Sequence, residues 1–254
     1  CIRDSLMING DDKNIIKISE RISRTQITFG KSRKCDYQIK NINPVRGKQD
    51  FEIFDRKNKK IHKFKINLPG KHNVFNAAAS IGVAMEEGIP ISYIKKGISA
   101  FSGVGRRYEK HKIIIKSKEI ILIDDYGHHP IEIESNINAY KEEYPKKKVC
   151  MIFQPHRFSR TAQLFDDFIK VLAKVDSLIL LDIYSASEKP IRGINSRTIV
   201  ETIKQKGHKD VTYVKNHDDV INLINDKKDY LDIVVTQGAG SVSKVCESIK
   251  HKWK

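Results

Sequence analysis

Cysteine is scarce in this chain of 254 residues: four, at positions 1, 35, 150 and 246, far apart and with no C-x-x-C pair. That spacing fits neither a zinc site nor the disulfide framework of a small secreted domain. Cys150 lies inside an apolar run and reads as core. No apolar run approaches the roughly 18 residues needed to cross a bilayer, and no signal peptide is evident, so no membrane partner is expected and the expected location is cytoplasmic. The first residue is Cys1 rather than Met, as in a fragment or a processed product. Histidines at i, i+4 spacing are missing, which leaves no metal-ligand pattern. Internal repeats and low-complexity tails are absent as well. Acidic residues are outnumbered, 31 Asp plus Glu against 47 Lys plus Arg, for a formal charge of +16. Such a field draws anions: nucleic acid, acidic lipid or phosphorylated small molecules. The lysines are nevertheless spread along the chain, through Lys57–Lys60, Lys110–Lys118 and Lys146–Lys148, as on a solvated basic surface. No nucleic-acid partner is expected from that distribution.

What is present is enough apolar sequence, 39% of residues, for a packed core. The length suits two domains. Residues 1 to 68 are β-rich or irregular, with short strand-like runs at 24–29, 36–41, 50–54 and 60–66. A helix follows Leu68-Pro69-Gly70. Val74, Ala77, Ala78, Ile81 and Met85 fall on one of its faces, and Gly88 terminates it. A second helix is expected over about 92–101. Ser102-Gly103-Val104-Gly105 is the best candidate for an interdomain hinge. Beyond Tyr108 the pattern alternates. Strand-like runs at 111–116, 120–123, 149–153, 178–184, 211–214 and 233–236 are separated by helix-like runs near 131–143, 161–174, 196–206, 217–226 and 241–250. Buried strands separated by helices predict a mostly parallel, doubly wound α/β sheet.

Two polar clusters stand at strand ends, where open α/β sheets bind ligands. The first is Asp124-Asp125-Tyr126-Gly127-His128-His129-Pro130 and the second Gln154-Pro155-His156-Arg157-Phe158-Ser159-Arg160. The expectation is that two adjacent strands carry them. Consecutive residues at a strand end point in opposite directions, so one Asp and one His at most face a given ligand. An acid there either accepts from a ribose or caps the next helix. Arg157 and Arg160, three apart at a helix start, suit a carboxylate or phosphate unless they are merely solvated. Asn73 and Asn76, one turn apart, are either caps or readers of a base edge. Arg106-Arg107 follows the hinge and could close on a phosphate. Gly238-Ala239-Gly240-Ser241 is either an anion nest or a plain tight turn.

The segments LPGKHNVFNAAASIGVAMEEGI, FSGVGRRYE, IDDYGHHPIEI, FQPHRFSRTAQLFDDF, LDIYSASEKPI and QGAGS, in order over residues 68 to 241, resemble the Mur ligases of peptidoglycan synthesis. DDYGHHP followed by FQPHRxSR is closest to the alanine-adding members. The resemblance implies that residues 1–105 are the second half, β-rich and helical, of a P-loop-type central ATP-binding domain, and that 106–254 are the C-terminal Rossmann-like domain with helices on both faces of its sheet. It implies an ATP- and Mg²⁺-dependent enzyme that joins L-alanine to UDP-N-acetylmuramate through an acyl phosphate. By position, Asn73 and Asn76 contact adenine, Arg107 the ATP phosphates and Asp125 the ribose. Tyr126, His128, Arg157 and Arg160 hold the incoming amino acid and the muramoyl carboxylate region, with His156 beside them. Arg107, His128 and His156 are the catalytic candidates. No G-x-x-x-x-G-K-[ST] is present, so the Mg²⁺ ligands and the UDP-binding part belong to an N-terminal portion, and this chain alone is expected to be inactive. Lys71 stands where the family usually has Arg, Gly105 where it often has Lys, and Ser187 where Gly is typical. The alternative is a non-catalytic binding module derived from such a ligase and recruited through its basic surface.

Overall fold

The computed structural model describes residues 5–45 and 47–253. Its contacts divide the chain into two compact units, Cys1–Ser102 and Gly103–Lys254.

The first unit begins with strand β1 (Ser5–Asn9), helix α1 (Lys13–Ser19) and strand β2 (Thr25–Gly30). Three more strands follow, β3 (Tyr37–Val45), β4 (Lys48–Asp55) and β5 (Lys60–Ile66), and then helices α2 (Lys71–Glu86) and α3 (Ile91–Ala100). The five strands form one sheet in chain order, parallel from β1 to β3 and antiparallel from β3 to β5. Alternation in β4 buries Gln49, Phe51, Ile53 and Asp55 and leaves Asp50 and Glu52 on the other face. The i, i+3, i+4, i+7 set Val74, Ala77, Ala78 and Ile81 of α2 lies on Phe51, Ile53, Phe64 and Ile66. Gly88, in the left-handed conformation at φ 73°, ends that helix as expected. The sequence reading had no elements before residue 24, whereas the structure has β1 and α1. Seven residues are too few for a helical period to register, and α1 is held instead by Asp12, whose carboxylate accepts from the Asn14 and Ile15 amides.

The second unit opens with strands β6 (Glu109–Ile115) and β7 (Lys118–Asp125), helix α4 (Pro130–Glu143) and strand β8 (Val149–Phe153). Helices α5 (Phe158–Gln163) and α6 (Phe165–Leu172), strand β9 (Ser177–Leu180) and helix α7 (Ser196–Gln205) come next. The unit closes with β10 (Val211–Tyr213), α8 (His217–Lys227), β11 (Ile233–Gln237) and α9 (Val242–Lys252). Its sheet runs β10-β9-β8-β11-β7-β6, parallel except for the β6–β7 hairpin. Neighbouring residues of one strand serve opposite faces: Met151 and Phe153 pack with Ile133, Ile137, Phe168 and Ile199, while Cys150 and Ile152 pack with Val220, Ile224, Val245 and Ile249. Helices therefore cover both faces, and the α/β expectation holds. No helix among the described residues is long and apolar enough to cross a membrane.

Three expectations need correction. The strands bearing the two polar clusters are not adjacent, because β11 lies between β7 and β8. All five residues of β11 are buried, which suits a central strand. The single helix expected near 161–174 is two, broken at Leu164. The strand expected over 178–184 stops at Leu180; beyond it only Tyr184 returns, to form an isolated parallel bridge with His156.

Candidate active site

The polar residues gather at the carboxyl ends of β7, β11 and β8 in the second unit. Both acids at the end of β7 are buried, each 4% exposed, and they serve different partners. Asp124 accepts from Thr236 Oγ1 at 2.8 Å and pairs with Arg106 Nε at 3.0 Å. Arg106 also donates to the Gly238 carbonyl at 2.8 Å. Asp125 accepts from the Tyr108 amide at 2.8 Å, the Gly127 amide at 2.6 Å and Gln237 Nε2 at 3.0 Å. Burial pushes its pKa up even though those donors favour the charged form. A carboxylate so engaged, with almost no accessible surface, ties the hinge-following segment to β11. Little of its surface is left for the ribose expected of it.

The two histidines after β7 also divide their labour. His129 caps α4: its Nδ1 accepts from the Ile131 amide at 3.3 Å, and Glu132 Oε2 accepts from the His128 and His129 amides at 2.9 and 3.0 Å. This is a capping box with Pro130 in the first turn. Burial opposes ionisation of Glu132, but the two amides and the nearby His128 and Arg107 outweigh it and lower its pKa. His128 turns the other way. Its Nδ1 lies 3.2 Å from the Tyr126 carbonyl, which can only accept, so Nδ1 carries a proton, and in the neutral ring Nε2 keeps the lone pair.

From the second cluster, His156 stands with its ring 5.4 Å from that of His128 and stacked at 5.4 Å on Tyr184. Its Nδ1 is 3.3 Å from Arg160 Nη1. A guanidinium only donates, so this Nδ1 accepts and the proton of neutral His156 sits on Nε2. Burial, then His128, Arg160 and Arg157, lower its pKa and keep it neutral. One imidazole thus offers an acceptor nitrogen and its neighbour a donor. Arg106 and Arg107 lie over the Tyr126 ring at 5.3 and 5.4 Å. The Arg107 guanidinium is half exposed, with one long contact of 3.5 Å to Glu132.

The segments that build this edge are strained. Among the described residues nine non-glycine residues have positive φ, and five of them, Arg106, Tyr108, Arg157, Ala186 and Ser187, fall here. Such concentration is typical of sites where surrounding contacts fix an unfavourable backbone. Arg157 at φ 72° donates its amide to the Tyr184 carbonyl and begins α5. Glu188 then accepts from the Ser159 amide and hydroxyl at 2.9 and 2.6 Å. The stretch from Gly238 to Ser241 is a packed turn. A Cβ on Gly240 would come within 2.5 Å of Gln154 Oε1 and 2.7 Å of Tyr184 Cβ.

The structure therefore brings together Arg107, Asp125, Tyr126, His128, His156 and Arg160, with Arg157 beside them. Asn73 and Asn76 belong to the first unit. Asn73 Nδ2 is bonded to the Pro69 carbonyl at 2.7 Å, as a helix-start residue would be, and Asn76 is exposed on α2. Sequence reasoning placed Gln154 in the second cluster without a role of its own, and gave none to Gln237, Thr236, Glu132, Tyr184 and Glu188. A signal existed for the two glutamines, since Gln154 directly follows the apolar strand β8 and Gln237 is the last residue of β11. Among the described residues no group of three or more His, Cys, Asp or Glu is placed to hold a metal ion.

The family description "Mur ligase, glutamate ligase domain" matches residues 106–240, and "Mur ligase middle domain" matches residues 2–84. A curated relative from Psychrobacter sp. (strain PRwf-1), named UDP-N-acetylmuramate--L-alanine ligase, is 37% identical over 244 residues, which are 96% of this chain and 51% of the relative. A relative of the same name from Vesicomyosocius okutanii subsp. Calyptogena okutanii (strain HA) is 40% identical over 244 residues, 96% of this chain and 52% of the relative. The chain spans about half the length of the curated relatives it matches. Among solved structures, the UDP-N-acetylmuramate-alanine ligase of Thermotoga maritima superposes with a TM-score of 0.75 at 23% identity, covering 98% of this chain and 59% of that one. The MurF ligase of Thermotoga maritima in complex with ADP gives 0.71 at 16%, covering 98% and 54%. At these identities the two structures bear on the fold alone. The larger domain match takes in more than half of the residues by itself, and the chain belongs to the Mur ligase family.

Proposed function

We propose that this chain is the amino-acid-receiving portion of an ATP-dependent ligase that joins L-alanine to UDP-N-acetylmuramate in cytoplasmic peptidoglycan synthesis. The observation that carries the reading is the His128–His156 pair, with opposite tautomers and Arg160 at its side, on the carboxyl edge of the sheet. In the reaction, a carboxylate oxygen of the muramoyl group attacks the γ-phosphorus of ATP and ADP leaves. The amine of alanine then attacks the carbonyl carbon of the acyl phosphate, the C–O bond to phosphate breaks, and inorganic phosphate departs as the amide forms.

An ammonium must lose a proton before it can attack, and His128 Nε2 is the free acceptor for it. Arg157 and Arg160 hold the amino acid's carboxylate, as guanidinium forks do. Tyr126 and neutral His156 line the same place, and Arg107 meets the transferring phosphoryl oxygens. Asn76, exposed one turn from Asn73, and the free Oδ1 of Asn73 serve the adenine. Asp125 acts as a structural brace. Mg²⁺ and the P-loop that would hold the phosphates belong to a portion with G-x-x-x-x-G-K-[ST], which these 254 residues lack. Mg²⁺ would supply neutralising charge on those phosphates.

The test joins this chain to the part of the Psychrobacter relative that it does not cover. The chain alone is expected to release no ADP from ATP with both substrates, and the fused protein to release ADP and phosphate only when alanine is present. Turnover by the chain alone would refute the reading. So would a fused protein that folds and makes ADP yet never consumes alanine.

A further inference from the structure

The geometry points to a second anion site in the first unit, a cleft for a phosphate-bearing small molecule between the outer face of β4–β5 and helix α3. The cleft has a volume of about 490 Å³, in the range of small-molecule pockets. Four lysines line it, Lys63 and Lys65 from β5 and Lys95 and Lys96 from α3, against two carboxylates, Asp50 and Glu52 of β4. Phe51 and Phe64 also border it, although their stacked rings, centroids 5.8 Å apart, are buried on the opposite face of the sheet under α2.

Sheet register alone would neutralise half of those lysines. Glu52 stands directly opposite Lys63 and Asp50 opposite Lys65 in the antiparallel ladder, where opposite charges ordinarily pair. The structure diverts the first of these acids. An irregularity in β3 between Lys40 and Asn43 puts Asn41 at φ 48° and aims its side chain across the sheet, where Nδ2 donates to Glu52 Oε2 at 2.7 Å. Bulges re-aim side chains in this way beside binding sites. Among the described residues none of the four lysines makes an ion pair with a carboxylate, and all four are exposed. Four ammonium groups around one concavity, with a neighbouring carboxylate held away by an amide, are suited to an oxyanion carrying several charges. Lysine acts there as a point charge, which fits the mobile oxygens of a di- or triphosphate. This cleft lies entirely in the first unit and its residues are separate from the histidines and arginines of the candidate active site.

The experiment titrates inorganic triphosphate into the full chain and follows the amide resonances of Asn41, Glu52, Lys63 and Ser99. Saturable shifts at these four amides are expected, weakening with added salt. The variant K63E/K96E should bind about tenfold more weakly by these resonances, the size expected of two exposed charges. A charge-matched control, K204E/K206E at the C-terminal end of α7, should leave the same curve within twofold. Equal loss in both variants would mean that only the net charge of the chain attracts the anion and would overturn the site. Absence of saturable shifts at the four amides would overturn it as well. Neither result touches alanine-dependent turnover by the fused protein, so this inference and the proposed function fail separately.

Discussion

Glu132 offers a sharp test of how the candidate site is held. Its Oε2 alone accepts both the His128 and His129 amides, while Oε1 makes only a 3.5 Å contact with Arg107, whose side chain is half exposed. Replacing Glu132 with Ala removes one half of the capping box of α4 and leaves the His129 half in place. Loss of a helix cap costs about 0.5–2 kcal/mol, and two partly buried amides lose their acceptor here, so about 1–2 kcal/mol is expected. Replacing Glu132 with Gln keeps one oxygen for the two amides and gives up only an exposed ion pair, worth less than about 0.5 kcal/mol. Trp253 is the single tryptophan and packs against the core of the second unit, so its fluorescence reports unfolding of that unit. With a urea slope of about 2 kcal/mol per molar, E132A should lower the midpoint by about 0.5–1 M and E132Q by less than about 0.25 M. Acid adds a second arm. Glu132 has a folded pKa below its ordinary 4.5, so its stabilisation is complete above that value and is lost as pH falls through the folded pKa. The Gln variant should lack this acid-side loss. Equal damage from Ala and Gln would show that charge, not hydrogen bonding, holds the segment, and a neutral Ala variant would refute the capping argument altogether.

Three other outcomes follow from the same edge. Ser187→Gly should stabilise the second unit by about 0.5 kcal/mol in the Trp253 urea assay, because relief of the left-handed backbone at φ 70° exceeds the entropy that glycine adds to the unfolded chain. The His156 ring resonance should titrate below the ordinary histidine value and move upward in Arg160→Ala. Since the unfolded chain takes up this proton first, His156 costs the fold stability only as pH falls below that ordinary value, and costs nothing above it. Gly240→Ala should destabilise by about 1–3 kcal/mol, read as a lower urea midpoint, because its Cβ meets Gln154 and Tyr184 at once.

Periodicity made much of the fold legible. Strands such as Val149–Phe153 and Ile233–Gln237 are short apolar runs bounded by polar turns, and α2 announces itself by four buried residues at helical spacing. Strand order was not legible, because sequence proximity suggested that β7 and β8 pair, and nothing local to either shows that β11 enters between them. The capping role of His129 was invisible for a related reason. Its neighbour His128 has the same chemistry, and only backbone direction separates a helix cap from a ring facing His156. Asp125 illustrates the limit of resemblance. The motif marked its importance, but two of its partners, the Tyr108 amide and the Gln237 side chain, come from segments that meet it only in the folded chain, and the Gly127 amide alone is local.

The position of β11 sets an order of events during synthesis. A ribosome delivers β7 and β8 long before residues 233–237, and until those residues arrive the strands that carry His128 and His156 have no common neighbour. The half-made sheet is two separate ribbons, β6–β7 and β8–β9–β10, each with an open edge awaiting the same late strand. A nascent chain stopped before Ile233 would therefore hold nearly every residue of the candidate site and still be unable to set its two imidazoles side by side.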